Sequence, residues 1–121
     1  MSLHTDSFNT LSGSAEELLA KLESFRHLNE NWDSYNAAKP SEDTIERACT
    51  LVRDLDRQGH CPDFIASGPN GEVMVELIRG ERSVEVYFNE DGSSEYVVFD
   101  GAEAVCEFNS VPNVYDLVAA L

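Results

Sequence analysis

Basic residues are scarce in this chain. Eight Lys+Arg stand against twenty-three Asp+Glu in 121 residues, a formal charge of −15. Phosphate backbones and anionic membrane surfaces are therefore repelled over most of its surface, which excludes direct nucleic-acid binding and favours a basic protein partner. Long hydrophobic runs are missing too. No uncharged apolar stretch is long enough to span a bilayer, and the opening MSLHTDSFNTLSGS has no basic segment leading into an apolar one, so no membrane association is expected. Cysteine is sparse and unpaired by pattern: Cys49, Cys61 and Cys106 form an odd set without C-x-x-C spacing, which excludes a disulfide framework and fits reduced thiols in the cytoplasm.

What is present is ordinary globular material, 42% hydrophobic and 26% charged, in a length that suits one core. Residues 1–13 are polar and read as an arm, residues 14–121 as a single domain. Ser14 followed by Glu16 and Glu17 has the form of a helix cap, and Leu18, Leu19, Leu22, Phe25 and Leu28 recur at helical spacing behind it. Ser41 with Glu42 and Asp43 opens a second helix in the same way. Its apolar positions are Ile45, Ala48, Cys49, Val52 and Leu55, and Gly59 is placed to end it, giving a helix over about residues 42–58.

From Pro62 the apolar period changes from helical to alternating. DFIAS, EVMVELI, SVEVYF and SEYVVF are four strand-like runs separated by glycine-bearing turns, and Pro112 leads into a short helix carrying Val114, Leu117, Val118 and Leu121. The expected fold is α+β in the order ααββββα: two N-terminal helices, a four-stranded antiparallel meander, a short C-terminal helix, and the helices on one face of the sheet. Two-residue turns at Asn70-Gly71, Gly80-Glu81 and Asp91-Gly92 put Phe64, Ala66, Val73, Val75, Leu77, Val84, Val86, Phe88, Val97 and Phe99 on the core face. A three-residue turn after Asn89 would bring Tyr96 and Val98 inward instead.

With the two-residue turns, the outer face displays Glu72, Met74, Glu76, Ile78, Glu85, Tyr87, Tyr96 and Val98, and sets Glu76 opposite Glu85, a costly like-charge pairing. Ten acids but only two arginines lie between Glu72 and Glu107. Glu72, Met74, Glu76, Glu85, Tyr87 and Tyr96 are accordingly the candidate partner-binding residues, apolar anchors among steering carboxylates. The competing readings are that these acids only keep an exposed sheet soluble and unpaired at its edges, or that the face is buried in a homodimer.

Catalytic constellations are absent by pattern. His60-Cys61-Pro62-Asp63 gathers reactive side chains at one junction, but adjacent residues seldom point into one site and no second Cys or His recurs at zinc spacing. His4 and His27 lie where exposure is expected, GPNGE joins two strands without a phosphate-cradling lysine, and the carboxylates are too dispersed to single out a pair. Cys49 and Cys106 read as small core residues. No catalytic residue, metal or cofactor is expected.

The only tryptophan sits in NWDSYNAAKP, Asn31 to Pro40. Trp32 and Tyr35 are large amphipathic side chains among turn formers, and Pro40 directs the chain into the second helix. Trp32, Asp33 and Tyr35 thus form either a structural corner sealing helices to sheet or the wall of a pocket. This segment resembles the N-W-D-S/G-Y-G-A-x-P-like stretch of an uncharacterised family of small bacterial proteins, with Asn36 at the usual glycine. The likeness is close over Asn31 to Pro40 and general from Leu28 to Phe99. It implies the helix-then-strands architecture and transfers no activity. The expected function is that of a small acidic, non-enzymatic binding protein for a basic partner, like an immunity protein, antitoxin or nucleic-acid mimic. The alternative is a small-ligand or hydrolytic domain built on Trp32, Asp33 and Tyr35.

Overall fold

The first amides of a helix need an acceptor, and in the computed structural model, which describes residues 11–29, 31–32, 38–110 and 113–121, Ser12 rather than Ser14 supplies it. Its hydroxyl accepts from the Ala15 amide at 3.1 Å and donates to Asp56 at 2.6 Å. One side chain thus starts α1 (Gly13–Ser24) and ties it to the end of α2 (Glu42–Arg57), a cap worth about 1 kcal/mol. The arm expected over 1–13 lies outside the described residues up to position 10. Leu11, by contrast, already packs on the core.

A 3-10 turn at Phe25–His27 follows α1, and Ala15, Leu22 and Phe25 are its buried contributions. In α2 the Ser41 hydroxyl accepts from the Thr44 amide at 3.2 Å, and Ile45, Ala48, Cys49, Val52 and Leu55 are all fully buried. Gly59, at φ +81°, ends it. Arg26 joins the two helices through Glu23 at 2.7 Å and through Glu42 and Glu46.

The sheet has five strands, not four: β1 (Phe64–Ser67), β2 (Val73–Arg79), β3 (Arg82–Phe88), β4 (Ser94–Asp100) and β5 (Glu103–Phe108), in the order β1-β2-β3-β4-β5 with every pair antiparallel. The extra strand forms because Gly101, at φ +62°, reverses the chain in a two-residue turn that pairs Asp100 with Glu103. The fold is α+β, ααβββββα. α3 (Val114–Ala119) starts after Asn113, whose side chain accepts from the Tyr115 amide at 2.8 Å; the part expected of Pro112 lies outside the described residues.

Turn length decides which residues face the core. Gly80 takes the first turn position at φ +63° and Arg79 pairs with Arg82, the two-residue turn expected. The flanking turns are one residue longer. Gly68 donates to the Glu72 carbonyl at 2.8 Å and Asn89 to that of Ser93 at 2.9 Å, with Gly71 (φ +80°) and Gly92 (φ +91°) third in their loops. A two-residue Asn-Gly or Asp-Gly turn needs positive φ at both positions, and the only non-glycine with positive φ among the described residues is Asn31, so Asn70 and Asp91 adopt the three-residue form with a bulge at glycine. Side chains at Asp91 and Arg47 hold the second of these turns: Asp91 accepts from the Ser93 amide at 2.8 Å, and Arg47 donates to the Asn89 carbonyl at 2.6 Å.

A one-residue slip exchanges the faces of a strand. Ile65 therefore points inward in place of Phe64 and Ala66, and Tyr96 and Val98 point inward in place of Val97 and Phe99. The inner rows run Ile65, Val75, Val86, Tyr96, Phe108 and Leu77, Val84, Val98, Cys106. α1 and α2 cover them from β1 to β3, each fully buried aliphatic side chain contributing about 1.5–3 kcal/mol. The cover ends before β5, so Phe108 stacks on Tyr96 at 4.7 Å yet stays 42% exposed, and Cys106, expected in the core, is exposed.

Candidate interaction surface

The uncovered face of the sheet is built by the other half of the alternation. One row crosses all five strands, Phe64, Glu76, Glu85, Val97 and Glu107; beside it lie Ala66, Met74, Tyr87 and Glu95 on one side and Ile78, Ser83, Phe99 and Ala104 on the other. Met74, Tyr87, Val97 and Phe99 are half-buried by their neighbours, while Phe64 and Ile78 are each 45% exposed. No lysine or arginine occupies an outward position. Arg79 and Arg82 share the register of the covered face, and Lys21 reaches only the margin, where its ammonium lies 4.8 Å from the Phe64 ring.

Electrostatics on this face follow from its half-dry condition. Burial, then the facing Glu85 carboxylate and Asp63, raise the Glu76 pKa above its ordinary value. Burial also pushes the Tyr87 phenol up, helped by its hydrogen bond to Glu85 and by the charges of Glu76 and Glu95. Tyr87 thus remains a neutral donor that satisfies one member of the like-charged pair. Such a pair costs stability when nothing positive stands by, and the nearest relief is a hydroxyl. A cation brought in from outside would relieve it further.

Of the residues expected at a partner surface, Glu72, Met74, Glu76, Glu85 and Tyr87 lie together here. Tyr96 does not: it is 6% exposed on the opposite face, where burial raises its phenol pKa. The register shift substitutes Val97 and Phe99, and adds Phe64, Glu95 and Glu107. Glycine in the third loop position, Gly71 of Pro69-Asn70-Gly71 and Gly92 of Glu90-Asp91-Gly92, marks this register. At one end of the face Glu72, Tyr87, Glu90, Asp91 and Glu95 enclose an acidic recess of about 450 Å³.

A larger groove, of about 620 Å³, lies on the helix side between α2, the β3–β4 turn and α3. Its two arginines are engaged, Arg47 with turn carbonyls and Asp43, Arg57 with Asp54 at 3.4 Å. Asp33 and Tyr35 lie outside the described residues, as does Asn36. Trp32 lines neither recess; its indole N–H donates to the Ala38 carbonyl at 3.0 Å, and the Ala38 amide donates to Pro69 at 2.9 Å. The tryptophan therefore braces the approach to α2 against the β1–β2 turn.

Among the described residues, no three His, Cys, Asp or Glu side chains are arranged to hold a metal ion, and no helix is long and apolar enough to cross a membrane. Burial raises the thiol pKa of Cys49 and Cys61, which disfavours the thiolate form at both. No protein-family model, curated protein or solved structure matches the chain.

Proposed function

We propose that this chain is a small acidic binding protein, working without catalysis, that docks a basic protein on the uncovered face of its sheet, in the manner of an immunity protein, an antitoxin or a nucleic-acid mimic. One observation carries the reading: the outward positions combine Met74, Ile78, Tyr87, Val97 and Phe99 with Glu76, Glu85, Glu95 and Glu107, and no cation stands among them. Apolar anchors supply desolvated contact, and the carboxylates steer a positive surface and fix its orientation. A face serving only solubility would not gather its apolar side chains at the centre of its charge. The cytoplasm, where the three unpaired thiols stay reduced, is the compartment that fits.

The test is capture of basic proteins from lysate on the immobilised chain at low salt, compared with a variant carrying Glu85→Arg and Glu95→Arg. Specific retention should fall by at least about tenfold in the variant and fade as salt shortens the screening length. Retention indifferent to both changes overturns the reading. A homodimer through this face would instead double the mass of the free protein in light scattering.

A further inference from the structure

The open edge of the sheet is the second place where a partner can add to this molecule. All six residues of β5 are exposed, and among the described residues none of its side chains makes a hydrogen bond or ion pair. Backbone groups along an antiparallel ladder point alternately to one neighbour and the other. The Asn89–Ser93 hydrogen bond sets this alternation in β4: Tyr96 and Val98 turn towards β5 and are met by Phe108 and Cys106, which leaves the N–H and C=O of Glu107 pointing away from the sheet. An irregularity between Val98 and Phe99 leaves Val105 without a partner, so the unbroken ladder covers Cys106 to Phe108.

Proteins usually blunt such an edge with lysine, proline or a covering element. Residues 103–108 contain neither lysine nor proline, and the helices stop short of them. Their charges are Glu103 and Glu107, next to Asp100, so a second copy of this acidic chain would bring like charges together while a cationic strand would find partners. The flanking side chains differ by face: Cys106 and Phe108 continue the apolar inner rows beside Tyr96, and Glu107 continues the acidic outer row.

We infer that β5 accepts an extended segment of the basic partner as a sixth strand, with lysine or arginine alternating with apolar residues so that cations lie beside Glu107 and apolar side chains beside Cys106 and Phe108. This inference rests on the docking reading above and specifies how part of that partner is held. Backbone pairing supplies the attachment, and the alternation of charge supplies the choice of sequence.

A short synthetic peptide of alternating lysine and valine tests it, with the same peptide carrying proline at every second valine as control. Fluorescence anisotropy should show binding of the first peptide and binding at least about tenfold weaker for the control. Amide exchange at Val105 and Glu107 should slow when the first peptide is bound. Glu107→Pro, which removes an outward N–H, and the pair Glu103→Lys with Glu107→Lys should each weaken binding by about tenfold; the charge-reversed pair keeps the test sound should the proline variant not fold. Peptide binding that slows exchange at Met74, Glu76 and Tyr87 but not in β5, and that Glu107→Pro leaves unchanged, overturns the edge inference and spares the docking face. Absence of binding at low salt overturns the edge inference, while the docking face stands or falls with the capture experiment. Slow exchange in β5 of a dimeric free protein overturns it in favour of a second copy.

Discussion

The strands β1 and β5 are both edges of the same antiparallel sheet, and they are treated in opposite ways. β1 is four residues long, its Ile65 is fully buried, and Lys21 of α1 caps the Ile65 carbonyl at 2.9 Å while covering the Phe64 ring. Just before it, Asp63 accepts from the Ile78 amide at 2.6 Å and holds Arg79 at 2.9 Å. β5 is longer and has none of this. The contrast shows that edge protection here comes largely from the helices: where α1 reaches, the edge is short and capped with Ile65 buried beneath it, and beyond the reach of α2 the ladder ends in open backbone.

Four substitutions probe that contrast, the largest loss first and paired with its control. Ile65→Ala should cost about 2–4 kcal/mol, as for any enclosed branched side chain, whereas Val105→Ala, at a position 44% exposed, should stay within about 0.5 kcal/mol. Urea midpoints at constant slope measure both, and equal losses would break the distinction between the edges. Arg47→Met should cost about 1–2 kcal/mol, because it strips the donor from the Asn89 and Ser93 carbonyls and loosens the turn that sets which face β4 presents to the open edge. A melting temperature within a degree or so of the parent would assign that turn to Asp91 and Gly92 alone. Lys21→Met should cost about 0.5–1 kcal/mol and speed amide exchange in β1 while leaving β5 as it was.

How far the sequence leads follows the same divide. Both long helices were legible from apolar spacing, the second also from its Ser41 cap while the cap of the first was placed two residues late, and the β2–β3 hairpin was legible from glycine in first position, because these signals are local. The outer strands were not, since Asn70-Gly71 and Asp91-Gly92 fit a two-residue turn by residue type and differ from it only in the backbone angle of Asn70 and Asp91. Tyr96 was thereby assigned to the wrong face, while Glu72, Met74, Glu76, Glu85 and Tyr87, which depend on the central hairpin, were assigned correctly. β5 was missed because EAVCEF carries apolar residues that no helix covers, and an uncovered strand lacks the burial pattern that alternation reports. The three-residue turn after Asn89 was the reading that held.

The smallest effect lies on the row that runs from edge to edge, Phe64, Glu76, Glu85, Val97, Glu107, and it separates a stability cost from a docking function. Burial and the charges of Glu85 and Asp63 raise the Glu76 pKa above the ordinary 4.5. The folded protein therefore holds this proton at a pH where the unfolded chain has released it. That contribution to stability is complete below pH 4.5 and is lost as pH rises through the folded value. At neutral pH the ionised side chain is a burden, so Glu76→Gln should stabilise by about 0.5 kcal/mol there and by nothing once both forms are neutral in acid. Urea midpoints of parent and variant should converge as the pH falls; a constant offset would mean that packing of the amide, not relief of charge, is responsible. If the row exists to receive cations, the same substitution should weaken retention of basic proteins on the immobilised chain while it stabilises the free protein, and a gain in both would show that Glu76 serves the fold alone.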